Sequence, residues 1–188
     1  RAMGVEIKCG VEVGKDVTIS QLREQGYKGF YVAVGCQGGR KAGVPGEEAT
    51  GVYTAVEFLR EANAKEAFDL GRDVVVIGGG NVAIDAARTA VRCSGGEVSM
   101  FCLESRDEMP ASREEILEAS QEKISIYNGW GPKEILTEDG KAIAVVFKKC
   151  TRVYDENHRF SPLYDEGETK TVLCSDVIFS VGQGIVWG

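Results

Sequence analysis

The sequence has 188 residues, of which 43% are hydrophobic and 27% are charged, and its formal net charge is −7. This balance excludes disordered and fibrous proteins, and the length suits one domain or one domain with part of a second. No apolar run approaches the roughly 18 residues of a membrane span, and an acidic chain is a poor candidate for binding nucleic acid or an anionic membrane. The six cysteines lack the spacing of metal ligands, so we expect reduced thiols, no metal site and a cytoplasmic location.

The N-terminal part of the chain is predicted to contain extended structure at 4–13, followed by a short helix. Thr18 and Gln21 have the spacing of a capping box, which predicts that the helix covers 18–25. A continuous apolar run bounded by glycines follows at 29–35. Such a run predicts a strand that is buried on both faces of a parallel sheet.

A loop and a second helix are predicted next. Residues 35–51 contain six glycines without periodicity, which predicts a long loop and a candidate domain junction. The acidic pair 47–48 within this loop is interpreted as solvent exposed. Thr54 and Glu57 form another capping-box pair, which predicts a helix that reaches about Ala67.

The segment 73–103 has the clearest β-α-β pattern in the chain. A β-branched strand is predicted at 73–77, a helix at 81–93 and a second strand at 97–103, with glycines in both connections. The segment is about 30 residues long, the usual size of a βαβ unit. It therefore predicts two neighbouring strands of a parallel sheet.

The first connection of this unit fits a dinucleotide-binding fingerprint. Gly78, Gly79 and Gly80, followed by Ala83, match G-x-G-x-x-A between a strand and a helix. Gly78 permits the sharp turn, Gly80 leaves room for a pyrophosphate, and Ala83 lets the helix pack closely on the strand. The helix N-terminus then offers unpaired N–H groups to the phosphates. The alternative is a tight glycine turn that binds no ligand.

Two charged residues after the second strand bear on the choice of nucleotide. Glu104 is placed to accept hydrogen bonds from the adenosine ribose hydroxyls, and its carboxylate would repel a 2′-phosphate, which favours NAD over NADP. Arg106 is placed to hold a 2′-phosphate, which favours NADP over NAD.

The remainder of the chain completes an α/β fold. One helix and four strands are predicted at 112–121, 124–127, 142–153, 170–174 and 176–182. The strands at 142–153 and 170–174, which a polar stretch joins, predict a small antiparallel β-meander. The predicted fold is a Rossmann-like parallel sheet with flanking helices and this meander.

No side chain is assigned a catalytic or metal-binding role. Cys36 could act as a nucleophile only if the fold joined it to the single histidine, His158. A metal site of His158 with Asp155 and Glu156 is a weaker interpretation than a solvated turn.

Four segments, in this order along the chain, resemble the small (beta) chain of glutamate synthase and its relatives, which are FAD-dependent pyridine nucleotide oxidoreductases. The segments are PGEEATGVYTAVEFLR, VVVIGGGNVAIDAART, ESRDEMPASREEI and DVIFSVGQ. The resemblance extends over 4–183. In this family an NAD(P)H-binding domain is inserted into an FAD-binding domain, so the resemblance implies three parts: 1–35 as a partial FAD-domain segment with a crossover strand, 36–175 as the NAD(P)H-binding domain, and 176–188 as the return strand toward the FAD domain.

The resemblance also implies contacts and partners. The implied contacts are Gly79, Gly80, Asn81 and Val82 at the pyrophosphate, and Ser180, Val181 and Gly182 near the nicotinamide. Leu103 and Glu104 stand where NADPH-using relatives commonly have two arginines, which favours NADH. The implied partners are the remainder of the FAD domain and an electron-accepting domain or subunit, for which an iron–sulfur protein is one candidate. The implied function is hydride transfer from NAD(P)H to FAD, and we expect no turnover from the isolated chain. A non-catalytic nucleotide-sensing module and an S-adenosylmethionine-binding methyltransferase are the alternatives.

Overall fold

A computed structural model describes residues 3–64 and 68–186, and the chain divides into an N-terminal unit, Arg1–Gly35, and a C-terminal unit, Cys36–Gly188. The N-terminal unit contains helix α1 (Ile19–Glu24). Its capping box forms as predicted, since the Gln21 backbone N–H donates to Thr18 Oγ1 at 3.2 Å and the Thr18 N–H donates to Gln21 Oε1 at 2.8 Å. Residues 4–13 have no helix or extended strand, and Val13 forms only an isolated bridge.

The prediction of a strand at 29–35 is wrong. These residues form no regular secondary structure, and all are exposed, with Tyr31 at 95%. A strand is stable only with a hydrogen-bonded neighbour and an apolar surface to cover its side chains. Within the described ranges, no strand pairs with this segment, so its apolar sequence does not produce a strand.

The C-terminal unit contains the other helices and all the strands of the described residues. The helices are α2 (Ala55–Ala64), α3 (Asn81–Cys93) and α4 (Arg113–Gln121), with a 3₁₀ helix at Arg106–Glu108. The strands are β1 (Gly38–Gly39), β2 (Val52–Thr54), β3 (Val74–Ile77), β4 (Val98–Cys102), β5 (Ser125–Asn128), β6 (Trp130–Glu138), β7 (Lys141–Tyr154), β8 (Phe160–Leu173), β9 (Asp176–Phe179) and β10 (Gln183–Gly184).

The strands form a parallel sheet and an antiparallel meander, which confirms the predicted fold class. The parallel sheet has the order β2-β9-β3-β4-β5. Strands β6, β7 and β8 form the meander, and β1 pairs with β10 in a short antiparallel ribbon. The ribbon brings the loop after Cys36 beside the residues that follow β9.

The parallel sheet is the middle of three layers, because its central strands are apolar on both faces. In β3, Val74 and Val76 pack with the helices, whereas Val75 and Ile77 pack with the meander. Every position of β3 and β9 is buried. The helix face toward the sheet is lined by the small residues Ala83, Ala86, Ala87 and Ala90. These side chains allow α3 to approach the sheet closely.

The meander differs most from the sequence prediction. Strand β8 covers Phe160–Leu173 rather than 170–174, and β6 was not predicted at all. Every side chain of β8 is exposed or half-buried, and its sequence lacks the apolar alternation that marks a strand. Strand β9 ends at Phe179 rather than at 182. The predicted end of α2 near Ala67 lies outside the described residues.

The long glycine-rich loop is ordered by an acidic residue that was predicted to be exposed. Glu47 is only 8% exposed. Its Oε1 atom accepts hydrogen bonds from the N–H groups of Ala42 at 2.7 Å and Gly43 at 2.9 Å. Lys41 Nζ donates to the Glu47 carbonyl oxygen at 2.9 Å. The prediction holds for Glu48, whose side chain is 93% exposed, and is wrong for Glu47.

Among residues 3–64 and 68–186, no helix has the length and hydropathy needed to cross a membrane.

Candidate functional site

A cavity of about 930 Å³ lies at the carboxyl ends of β3, β4 and β9. We call it the main cavity. The N-terminus of α3, the glycine-rich loop and the meander form its walls. In parallel α/β sheets this edge is where ligands bind, because the loops that leave neighbouring strands open a crevice there.

Gly78 is required by the close approach of two strand ends. Its φ angle is +144°, and a Cβ atom at this position would lie 2.3 Å from the carbonyl oxygen of Ser180. The Gly78 N–H donates to the Phe101 carbonyl at 2.9 Å, and the Ser180 N–H donates to the Ile77 carbonyl at 2.8 Å. The glycine turn, residues 78–80, is therefore fixed between β4 and the residues that follow β9.

Gly80 provides open space beside the end of a helix. It is the N-cap of α3, and a Cβ atom at this position would meet no atom within 4 Å. The first bonds of the helix run from the Ala83 and Ile84 N–H groups to the Gly80 carbonyl, at 2.9 and 3.2 Å. The N–H groups of Asn81 and Val82 precede these bonds and have no partner within the helix. Open space for an anion thus lies next to N–H groups that can bind it, and a pyrophosphate requires both.

A segment with no regular structure, 109–112, is attached to the glycine turn. The Ala111 N–H donates to the Gly79 carbonyl at 3.0 Å, and the Ser112 N–H donates to Asn81 Oδ1 at 2.8 Å. The Asn81 side chain therefore anchors this segment, which leads into α4. The backbone N–H of Asn81, and not its side chain, is the group that remains available to a ligand at the end of the helix.

Glu104, which the sequence predicts to accept hydrogen bonds from the ribose hydroxyls, lies beside the glycine turn. Its Oε2 atom is 3.0 Å from the position that a Cβ atom on Gly79 would take. Burial raises the pKa of the Glu104 carboxyl, the nearby charge of Glu108 raises it further, and a backbone hydrogen bond opposes both effects. No ion pair with Glu104 is found in the described part of the chain. A ligand that donates hydrogen bonds would stabilise the charged form of such a carboxylate.

This raised pKa predicts that Glu104 destabilises the free protein at neutral pH. A carboxyl whose folded-state pKa lies above its unfolded value stabilises the fold fully only when it is protonated, and it loses that contribution as the pH rises through the folded-state pKa. We therefore expect Glu104→Gln to raise the melting temperature at pH 7. The gain should disappear at pH 4, below the ordinary carboxyl pKa of 4.5. Calorimetric melting of both proteins at the two pH values measures this, and an equal gain at both would contradict it.

The other predicted contacts fall into two groups. Gly78, Gly79, Gly80, Asn81, Val82, Glu104, Ser180, Val181 and Gly182 all line the main cavity. Arg106 does not. It is exposed on the 3₁₀ helix and lines a second cavity with Lys149, Arg152 and His158. Leu103 borders both cavities and lies between them.

Sequence reasoning missed the walls that distant elements contribute. Lys41 and Val44 come from the glycine-rich loop, whereas Trp130, Lys148, Phe160, Pro162 and Tyr164 come from the meander. No local motif marks these residues. The meander residues reach the cavity because the meander packs against one face of the parallel sheet.

The cysteines of this chain are unpaired, and one of them, Cys102, lies in the main cavity. All six cysteines are free thiols. Burial raises the pKa of the Cys102 thiol to about 12, so this cavity residue is a thiol and not a thiolate at neutral pH. Where the chain is described, no cluster of three or more His, Cys, Asp or Glu side chains is placed to hold a metal ion.

An α/β domain with this glycine turn at its central strand is a dinucleotide-binding domain of the Rossmann type. The chain belongs to the family described as pyridine nucleotide-disulphide oxidoreductase, whose match covers residues 2–184.

Relatives of known activity agree with the resemblance found in the sequence. The chain is 33% identical over 190 residues to the NADP(+)-dependent formate dehydrogenase subunit beta of Moorella thermoacetica, which covers 97% of this chain and 26% of that protein. It is 33% identical over 193 residues to the glutamate synthase [NADPH] small chain of Halomonas elongata, covering 96% of this chain and 40% of that protein. The resemblance to the glutamate synthase small chain is thereby confirmed. The chain spans well under half the length of either relative.

A solved structure supports the fold. FprA from Mycobacterium tuberculosis in complex with NADPH superposes with a TM-score of 0.78 at 22% identity, covering 92% of this chain and 54% of FprA. The chain thus shares its fold with a larger oxidoreductase.

Proposed function

We propose that the chain binds NAD(P)H in the main cavity, with a preference for NADH, and presents the nicotinamide for hydride transfer to a flavin. The observation that carries this proposal is the open space at Gly80 beside the N–H groups of Asn81 and Val82, for which no acceptor is found among residues 3–64 and 68–186. This space would be filled by any side chain, and its neighbours donate hydrogen bonds to an anion. A negatively charged chain can bind a dinucleotide here because the phosphates interact with local donors rather than with the net charge.

Different residues of the main cavity bind different groups of the nucleotide. The N-terminus of α3 binds the pyrophosphate, and Glu104 accepts hydrogen bonds from the adenosine ribose. Ser180, Val181 and Gly182 follow the central strand β9 and hold the nicotinamide end. When bound, NAD(P)H supplies a hydride, and the protein supplies position and electrostatics. No side chain is required as an acid, base or nucleophile.

The preference for NADH rests on the electrostatics around Glu104. A carboxylate whose charge is already disfavoured by burial repels a 2′-phosphate and gains from two ribose hydroxyls. The formate dehydrogenase and glutamate synthase relatives are named for NADP(+) and NADPH, so on this proposal the chain differs from them in its nucleotide preference.

We further propose that the hydride acceptor is FAD held by the remainder of an FAD domain, of which 1–35 and 176–188 are parts and 36–175 the inserted nucleotide domain. The relatives named above are a beta subunit and a small chain, which supports a partner domain or subunit that accepts electrons. We propose an iron–sulfur protein as one candidate for that partner. The exposed apolar side chains of Tyr31, Val32 and Val34 support further packing partners for segment 29–35. On this proposal the isolated chain binds nucleotide without turnover, because only one dinucleotide fingerprint occurs in its sequence.

Calorimetric titration of the chain with NADH and NADPH at equal salt tests the proposal. We expect both to bind and NADH to bind more tightly. Equal or tighter binding of NADPH would contradict the preference, and binding of neither would contradict the site itself. Oxidation of NADH by the chain with added FAD would contradict the absence of turnover.

A further inference from the structure

The main cavity continues beyond Glu104 toward the meander. Gly131 in β6 lies under this part of the cavity wall. A Cβ atom on Gly131 would lie 2.7 Å from Leu103 Cδ2 and 2.6 Å from Tyr164 Cε1. The side chains of Leu103 and Tyr164 therefore meet over Gly131. Since Leu103 precedes Glu104 in sequence, the meander surface begins one residue from the predicted ribose acceptor.

This part of the meander presents ring side chains to the cavity. Phe160, Pro162 and Tyr164 are alternate residues of β8, and all three line the cavity. Phe160 is 65% exposed, so its ring is accessible to a ligand in the cavity. Tyr164 is half-buried, and Lys148 Nζ lies 4.2 Å from its ring centroid. The same Lys148 Nζ donates a hydrogen bond to Glu166 Oε1 at 2.7 Å. The surface is thus mainly apolar and aromatic, and its lysine Lys148 forms an ion pair with Glu166.

We infer that Phe160, Pro162 and Tyr164 form a platform for the adenine base of the bound nucleotide. The inference rests on the proposed function, because the order of groups in the nucleotide supplies its direction. With the pyrophosphate at the N-terminus of α3 and the ribose at Glu104, the base is the next group along the ligand. The base then lies next to the ribose, and Tyr164, which approaches Leu103 over Gly131, brings these rings to that part of the cavity wall. Adenine has apolar faces that stack on aromatic side chains.

The platform predicts that Phe160→Ala weakens binding of ADP-ribose and of NADH by about 5- to 150-fold, as expected for loss of one base–aromatic contact. Tyr164→Leu should weaken both ligands in the same direction. The matched control is Leu163→Ala, because Leu163 is 49% exposed on the same strand and does not line the cavity. Its affinity for both ligands should equal that of the wild type. Calorimetric titrations of the full chain measure all of these affinities, and thermal melting checks that each variant is folded.

A spectroscopic measurement separates stacking from an indirect effect on the fold. Etheno-ADP-ribose carries a fluorescent adenine whose emission is quenched when the base stacks on an aromatic ring. We expect quenching in the saturated complex with the wild type and with Leu163→Ala, and a partial recovery of emission with Phe160→Ala. If the wild type binds ADP-ribose and neither Phe160→Ala nor Tyr164→Leu changes affinity or emission, the platform is wrong and the proposed function stands. If the wild type binds neither ADP-ribose nor NADH, the proposed function fails and the platform fails with it.

Discussion

Gly80→Ala should weaken nucleotide binding by about 10- to 100-fold and leave the fold intact. The φ and ψ angles of Gly80 are −92° and 175°, which alanine adopts without strain, and the added methyl group meets no protein atom within 4 Å. The methyl group would instead occupy the space proposed for the pyrophosphate. Forcing one methyl group into a packed contact costs about 1–3 kcal/mol. Titration with NADH, together with the melting temperature, measures the two effects separately.

Two other glycines serve as controls for this result. A Cβ atom on Gly95 would also meet no atom within 4 Å, but Gly95 lies outside the main cavity, so Gly95→Ala should change neither binding nor folding. Gly78→Ala should instead destabilise the fold, because its methyl group would lie 2.3 Å from the Ser180 carbonyl oxygen at a φ of +144°. A Gly80→Ala protein that binds NADH as tightly as the wild type would show that the phosphates lie elsewhere.

The parts of the fold that the sequence predicts well are those with local signals. Capping residues such as Thr18 and Thr54 define helix starts through hydrogen bonds to residues three positions later. The glycine turn is predictable for the same reason, since a strand, three glycines and a helix are adjacent in the chain. The capping of α3 itself involves no side chain, yet its start at Asn81 was predicted because the glycines end the strand.

What the sequence does not predict depends on distant contacts. Glu47 resembles a surface acid until the loop folds back and places Ala42 and Gly43 against its carboxylate. The apolar segment 29–35 has the composition of a buried strand, but a strand also needs a neighbour, which composition does not reveal. The meander walls of the cavity, including Phe160 and Tyr164, come from residues about 80 positions after the glycine turn, so that spacing alone cannot assign them.

Glu104→Arg should reverse the preference between the two nucleotides. The side chain of Glu104 lies beside Gly79 at the edge of the main cavity, so a substituted guanidinium would replace a repulsive carboxylate near the 2′ position with a cation. Losing a charged hydrogen bond to the ribose costs about 1.5–3 kcal/mol, which corresponds to roughly 10- to 150-fold weaker NADH binding. NADPH binding should strengthen, and the gain should fall as salt is added, since screening weakens exposed charge pairs.

Arg106 provides the comparison that decides which residue sets the preference. It lines the second cavity with Lys149 and Arg152 and does not line the main cavity, where we propose the ribose site; Leu103 borders both cavities. If Glu104 controls the choice, Arg106→Ala changes the ratio of NADH to NADPH affinity little, whereas Glu104→Gln narrows it by removing the repulsion. If Arg106→Ala instead weakens NADPH selectively and Glu104→Gln has no effect, a 2′-phosphate reaches the second cavity. The basic residues Arg106, Lys149 and Arg152 of the second cavity would then govern nucleotide choice, because their attraction for the phosphate would exceed the repulsion from Glu104 and from the acids Glu108 and Asp155 that line the same cavity.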